Sequence, residues 1–461
     1  MTKRTGMGLA LTAAVALSAC DTSVTNPGPT PDSFLDSLVS HQAVVNGAQR
    51  ALADAIDQVY YWGGAIAFEL NPTGTSGSFG IDTRIQIGQF DPNLSGDWDN
   101  VAQARWTAEN AMERFETALP NIPGAPSAAS YEPIADAALL AGYANRILGE
   151  NFCQAVFDGG APVSNLDAFT RAEGHFTKAI QVGGAAGNQA IVDAAYAGRA
   201  SVRADLATYG QASWSDAVAD AGQITDNTFT YQMPYFDIEQ AQFNYIEFAN
   251  GNEPYRAHTQ WHSFFEFYYA RTTDPRVPYA PLDPNNPVGE GRVDRFGGQV
   301  PWLPQMKYDR KDSPINLSSG WEMRLIEAEA ALATSGDFAT VNAIINNRRS
   351  ALNAGGASIP LAAATTVAEG WVELKLERQL ELWLEGRRMW DLRRWSDNNV
   401  GGGLADVMDG VWEDPDGNPG DAGYDPANGN ETRIETMTSP VVRELCYPIG
   451  QDERQTNPKV P

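Results

Sequence analysis

Apolar residues recur every three or four positions through much of the first half of the chain, the spacing that lines one face of an α-helix. The stretch WDNVAQARWTAENAMERFETAL, residues 98–119, opens behind Asp97 as an N-cap and stops before Pro120. Further helices are expected over residues 132–152, 166–182 and 188–209, and a shorter one over 213–224. Small residues interrupt the apolar faces at Ala141, Gly142 and Ala144, and again at Ala194, Ala195, Ala197 and Gly198, where helices must approach closely. Residues 188–224 read as a long helix, a tight YGQAS turn and a short helix, close in length to the roughly 34-residue tetratricopeptide hairpin. Residues 321–352 repeat the design with Gly336 and Asp337 at the turn. The expected fold is mostly α: a tetratricopeptide-like scaffold of helical hairpins, each burying its core against its neighbours, with little β.

Two regions break the pattern. Residues 225–317 are dense in proline, glycine and aromatics, and residues 396–440 include EDPDGNPGDAGYDPANGNET. Loops of that length inside a compact chain are usually functional or disordered, so both are expected as irregular, aromatic-rich insertions in a single helical domain over residues 33–461.

The stretch VELKLERQLELWLEGRRMWDLRRW, residues 372–395, is rich in tryptophan and arginine. Leu376, Leu380, Trp383 and Trp390 form a core stripe at helical spacing, so one long scaffold helix is expected. Within it Arg387 would face Asp391, and Glu385 would face Arg388. Glu373, Glu377, Glu381 and Glu385 form a like-charged row that would repel itself in isolation. Arginines from elsewhere must meet it, and Arg324, Arg348 and Arg349 are the candidates.

The N-terminus and the charge narrow the picture. Lys3 and Arg4 precede an apolar run too short to span a bilayer, followed by LSAC at residues 17–20. This is the pattern of a bacterial lipoprotein signal over residues 1–19, with lipidation expected at Cys20 and a Pro- and Gly-rich tether over residues 20–32. The chain has 32 Lys+Arg against 58 Asp+Glu. Cleavage would remove two cations and no anion, taking the formal charge from −26 to −28. Such a charge argues against nucleic acid and against electrostatic adsorption to anionic lipid, while acyl chains would hold the protein at a membrane regardless. Cys153 and Cys446 are a candidate disulfide in an oxidising compartment; two separate buried thiols are the alternative.

Several segments carry a resemblance. LERQLELWLEGRRMWDLRRW resembles the C-terminal helix of the SusD/RagB family of outer-membrane nutrient-uptake lipoproteins. MRLIEAEAALATSGD, DPRVPYA at Asp274, WLPQMKYDR at Trp302 and CYPIGQDERQTNP from Cys446 resemble other segments of the family. Gly450 departs from a position where proline is common, and residues 396–440 match no motif. The resemblance implies a tetratricopeptide-like fold anchored at the cell outer membrane, a TonB-dependent SusC-type transporter as partner, and no catalysis. It implies a nutrient ligand, usually a glycan and in some members a peptide, and no cofactor.

A sugar is recognised by flat rings against its apolar face and by polar side chains on its hydroxyls. The candidates are Tyr60, Tyr61, Trp62, Arg84, Tyr245, Trp261, Tyr268 and Tyr269, each with core packing as its alternative. His258 and His262 stand i, i+4, but the sequence between them lacks the glutamate of a zinc protease, so no metal is expected there. Asp414–Asp425 has the oxygen ligands of a calcium loop but Pro419 where glycine is required, which favours a solvated acidic loop. No P-loop, paired CxxC or G-x-S-x-G elbow is present. A secreted glycoside hydrolase on a helical scaffold remains the alternative, since paired carboxylates cannot be recognised in so acidic a chain.

Overall fold

The computed structural model describes residues 31–72, 89–90, 96–251, 256–261, 263–285, 288–293, 299–402 and 444–461. Cys20, Arg84, His262 and the Asp414–Asp425 loop lie outside them. The helices are α1 (Leu38–Ile66), α2 (Gly96–Ala118), α3 (Glu132–Asn151), α4 (Asn165–Ala186), α5 (Gln189–Thr208), α6 (Trp214–Ala221), α7 (Tyr245–Asn250), α8 (Phe264–Thr272), α9 (Gly320–Ser335), α10 (Phe338–Ala354), α11 (Val367–Glu381), α12 (Arg388–Asp397) and α13 (Gln451–Thr456). The expected helices appear with ends shifted by one to four residues, and α1, which the pattern reading passed over, precedes them. α2 begins at Gly96, so Asp97 lies inside its first turn rather than capping it.

Neighbouring helices pack pairwise from α1 through α6. Their turns follow local chemistry. Gly187 takes a left-handed φ of 78° after α4, and the Asn188 side chain caps α5 by accepting from the Ile191 N–H. The small residues have a definite partner: a Cβ on Gly142 would lie 2.6 Å from the Phe176 ring, and one on Gly198 would lie 2.4 Å from it. One phenyl ring of α4 is thus held between glycines of α3 and α5, which sets the spacing of three helices.

α9 packs on α6, and α9, α10 and α11 pack on one another, so the helical stack continues across residues 225–317. The neck of that excursion is closed by an antiparallel pair, Thr230–Met233 (β4) with Ile315–Ser319 (β8). The other strand pairs are short: Asn71–Pro72 (β1) with His258–Thr259 (β5), Gln154–Ala155 (β2) with Val163–Ser164 (β3), and Val288–Val293 (β6) with Gln299–Pro301 (β7). The excursion is not a surface appendage. Ile246, Phe248, Phe264 and Phe265 are buried in the same core cluster as Leu52 and Ile56 of α1 and Leu140 of α3.

The stretch expected as one helix over residues 372–395 is two, α11 and α12. Leu384 has φ 58° and Gly386 φ 70°, and a Cβ on Gly386 would sit 2.1 Å from the Tyr60 ring. Tyr60 therefore fills the joint between the helices, and only glycine fits beneath it. The core stripe holds: Leu380, Trp383 and Trp390 are buried, with Leu376 half-buried at its margin.

The break redirects the charges. Arg387 binds Glu150 and Glu322 instead of Asp391, which pairs with Arg378 and Arg394. Glu385 pairs with Lys307 at 2.8 Å instead of Arg388. The glutamate row is met by Arg349 at Glu373 and Glu377 and by Arg348 at Glu381. Arg276 of the DPRVPYA segment also reaches Glu377 (2.5 Å) and Glu381 (3.0 Å). Arg324 turns away: it donates to the carbonyls of Ala221 and Ile224 and pairs with Glu327. Arg276 and Lys307 thus pin the middle segment to the α11–α12 elbow.

The C-terminal segment is stitched to α1 and α3. A disulfide joins Cys153 to Cys446 across a Cα–Cα distance of 5.0 Å. The Tyr447 N–H donates to the Asn151 carbonyl (2.7 Å), and its hydroxyl donates to the Val59 carbonyl (2.8 Å). Glycine suits position 450 because a Cβ there would lie 2.8 Å from that of Trp98. Reducing the disulfide is expected to lower stability by about 2–4 kcal/mol. Thiol titration of the denatured, unreduced chain should find neither Cys153 nor Cys446 free; two reactive thiols would reject the pairing.

Candidate functional site

The aromatic residues expected to touch a ligand divide into two groups. The first surrounds the C-terminal end of α1. Tyr61 is fully buried, and three rings meet it edge-on: Trp62 at 5.0 Å, Tyr245 at 5.1 Å and His258 at 4.5 Å between centroids. Trp62, Tyr245 and Trp261 are half-buried and lie toward solvent. The second group is Tyr268 and Tyr269 on α8. Tyr268 is buried and stacks on Phe264 (5.5 Å), while half-buried Tyr269 meets Tyr279 edge-on at 5.1 Å.

Burial corrects three of these expectations. Tyr60 fills the α11–α12 joint, Tyr61 is the centre of its aromatic cluster, and Tyr268 packs into the core. None offers a free ring face, because each lies on the inward side of its helix. Trp62, Tyr245, Trp261 and Tyr269 keep part of their surface.

Local contacts hold the first group in place. The Asp57 carboxylate, one turn before Tyr61 on α1, accepts from the Tyr245 N–H at 3.0 Å and so ties α7 to α1. Asn244 caps α7 by accepting from the Glu247 N–H. After α1 the chain pairs as β1 with β5, with Asn71 opposite Thr259 and Pro72 opposite His258. The Asn71 side-chain amide donates to the Trp261 carbonyl (2.8 Å), and the Gln260 amide donates to the Glu69 carbonyl (3.1 Å). His258 is therefore in a strand, not on the helix face its spacing to position 262 suggested.

The chemistry of this cluster is neutral and polar. Burial pushes the His258 imidazole down to about 3, so it is uncharged at neutral pH. Burial likewise keeps the Tyr61 hydroxyl protonated. Among the described residues, the Tyr61 hydroxyl, both ring nitrogens of His258 and the Asn71 side-chain oxygen have no hydrogen-bond partner. Buried polar atoms are nearly always bonded, so Tyr61 and His258, whose rings touch, together with the nearby Asn71 after α1, are the candidates for bonds completed from outside the chain. A neutral imidazole offers one donor and one acceptor, a phenol offers both, and the amide oxygen accepts. That set matches hydroxyl groups. His258 and Asn71 were not singled out as ligand contacts in the sequence. The β1–β5 pairing brings the His258 segment to the end of α1, where His258 meets Tyr61.

Among the described residues, no cluster of three or more histidine, cysteine or acidic side chains could hold a metal ion. None of the described helices is long and apolar enough to cross a membrane.

Residues 318–461 match the SusD family model. No curated protein sequence matches the chain. Solved structures share the fold over most of its length. A SusD superfamily protein from Bacteroides fragilis is 13% identical, with a TM-score of 0.61 over 92% of this chain and 98% of its own. A SusD-like carbohydrate-binding protein from Bacteroides vulgatus is 14% identical, with a TM-score of 0.52 over 77% and 83%. A third structure, determined with a xylogluco-oligosaccharide, is 14% identical, with a TM-score of 0.54 over 80% and 84%. The C-terminal third of the chain thus matches the SusD family model, and most of its length shares the fold of SusD-like structures.

Proposed function

We propose that this protein is a lipid-anchored outer-membrane protein that binds a glycan and passes it to a TonB-dependent, SusC-type transporter. The binding is without catalysis. The observation that carries the ligand class is the cluster at the end of α1. There, half-open Trp62, Tyr245 and Trp261 lie beside buried, neutral donors and acceptors on Tyr61, His258 and Asn71 that lack partners among the described residues. Ring faces suit the apolar side of a pyranose, and uncharged donor–acceptor groups suit its hydroxyls. Two of the structural relatives are named for, or were solved with, a carbohydrate. Delivery to a transporter rests on the likeness to the SusD family, and the anchor rests on the LSAC sequence ending at Cys20.

Trp62→Ala is expected to melt close to wild type and to lose most binding, measured by affinity electrophoresis and isothermal titration against a panel of neutral oligosaccharides. Normal binding by Trp62→Ala would move the site elsewhere. Release of reducing ends during the incubation would favour a hydrolase instead. Cys20→Ser is expected to leave the outer-membrane fraction after cell lysis; if it fractionates as strongly as wild type, the anchor is not at Cys20.

A further inference from the structure

The interface of α3, α5, α9, α11 and α12 contains a buried ionic network. Its carboxylates are Glu150, Asp205, Glu322, Glu329 and Asp391; its guanidiniums are Arg146, Arg378, Arg387 and Arg394, all buried. The carboxylates therefore exceed the guanidiniums by one. Arg393, also buried there, is turned to the main-chain carbonyls of Gly149, Glu150 and Phe152, and Asp397 one turn on contributes charge beside it.

Most of the acid oxygens are satisfied. Glu150 Oε1 accepts from Arg146 Nε at 2.8 Å and from Arg387. Asp205 Oδ1 accepts from the Trp390 indole N–H at 2.7 Å. Glu322 Oε1 accepts from Arg146 (2.8 Å), from the Ser201 hydroxyl (2.7 Å) and from Arg387. Two are not: Glu150 Oε2 and Asp205 Oδ2 have no partner among the described residues, although their own residues are only 1% and 5% exposed. Both residues line the same internal cavity, together with Ser201, Arg387, Trp390 and Arg394. Its volume is about 10 Å³. That is room for one water, which needs two to four polar partners to be stable in a protein interior.

We propose that this cavity is a site for one structural water bridging Glu150 Oε2 and Asp205 Oδ2, and that these two carboxyls hold a single proton between them. The protonated member donates its O–H to the water, and the water donates to the ionised member. The bridge satisfies both orphaned oxygens. Burial, opposed by the neighbouring arginines, lifts both the Glu150 and the Asp205 carboxyls above the usual carboxylate range, the direction that a shared proton requires. Both values lie above those of the unfolded chain, so the native state binds the extra proton. The sign follows: this contribution to stability is present in acid and is lost as pH rises through the raised folded value.

A crystal structure of the full chain, at a resolution that shows other buried waters, is expected to show one water within hydrogen-bonding distance of both oxygens. Infrared spectra of the wild type at about pH 6 are expected to contain a protonated-carboxyl C=O band that disappears by about pH 9. Asp205→Asn and Glu150→Gln should each lose that band and show a flatter fall of melting temperature over the same range. An empty cavity overturns the water, and a wild-type spectrum without the band at about pH 6 overturns the shared proton. Both readings are made on the wild type, so they decide the matter even if a variant fails to fold.

Discussion

Trp383→Ala is expected to lower the unfolding free energy by about 3–5 kcal/mol, the usual cost of deleting a large buried aromatic. Trp383 has no exposed surface, its ring lies 5.3 Å from that of Phe265, and its indole N–H donates to the Glu69 carbonyl at 3.3 Å. The Glu69 carboxylate in turn accepts from the Leu384 N–H at 2.9 Å. Alanine would leave a cavity at the elbow that joins α1, α8 and the α11–α12 break, and would leave the Glu69 carbonyl with only its bond from the Gln260 amide. The folded fraction should keep its ligand affinity, because the aromatic cluster around Tyr61 uses other side chains. Urea denaturation and titration of the folded variant measure the two effects. A variant that melts like wild type yet loses ligand would place Trp383 in the binding site instead.

Arg394→Ala is expected to cost a similar amount, about 3–5 kcal/mol, for a different reason: it strands buried charges. Arg394 is 1% exposed and holds Glu329 with two bonds, at 2.6 and 2.8 Å, and Asp391 at 2.9 Å. Burial alone would raise both carboxyls, but the guanidiniums of Arg394 and Arg378 outweigh it and hold them below the usual carboxylate range. Their stabilisation in the wild type is present above the unfolded carboxylate range and fades as pH falls through the depressed folded values. Without Arg394 those carboxyls are pushed up instead, so the variant regains stability in acid. Its deficit should be larger at about pH 8 than at about pH 5. A deficit that stays constant with pH would mean that lost packing, not stranded charge, dominates.

The expected positions of helices such as α3 and α5 were legible because their cause is local. Apolar spacing, cap residues and turn glycines such as Gly187 and Gly336 act within a few residues, and the structure moved only the ends. The glutamate row of α11 was legible as a demand: like charges at i+4 need cations, and Arg348 and Arg349, one hairpin away, supply them. Gly386 stands inside the 372–395 pattern, which was expected as one helix. Its left-handed φ decides the matter only because Tyr60 of α1 occupies the space above it.

The candidate site shows the same division. Sequence reasoning named Trp62, Tyr245 and Trp261, since loop-flanking aromatics are visible by residue type. It also named Tyr60, Tyr61 and Tyr268, since nothing in a run such as YYW says which ring turns inward. Missing were His258 and Asn71 as ligand contacts, because an unsatisfied hydrogen bond is a property of surroundings and not of residue type. The sequence by itself determined the helical scaffold, the acidic charge and the need for buried ion pairs, all consequences of spacing and composition. Only the tertiary structure decided that Arg276, about a hundred residues upstream, would complete the glutamate row, and that α11 and α12 would be two helices. It also decided that Tyr61, Tyr245 and His258 from three segments would share one aromatic cluster. Those outcomes depend on which distant segments fill the same volume, and packing is settled only when the whole chain has folded.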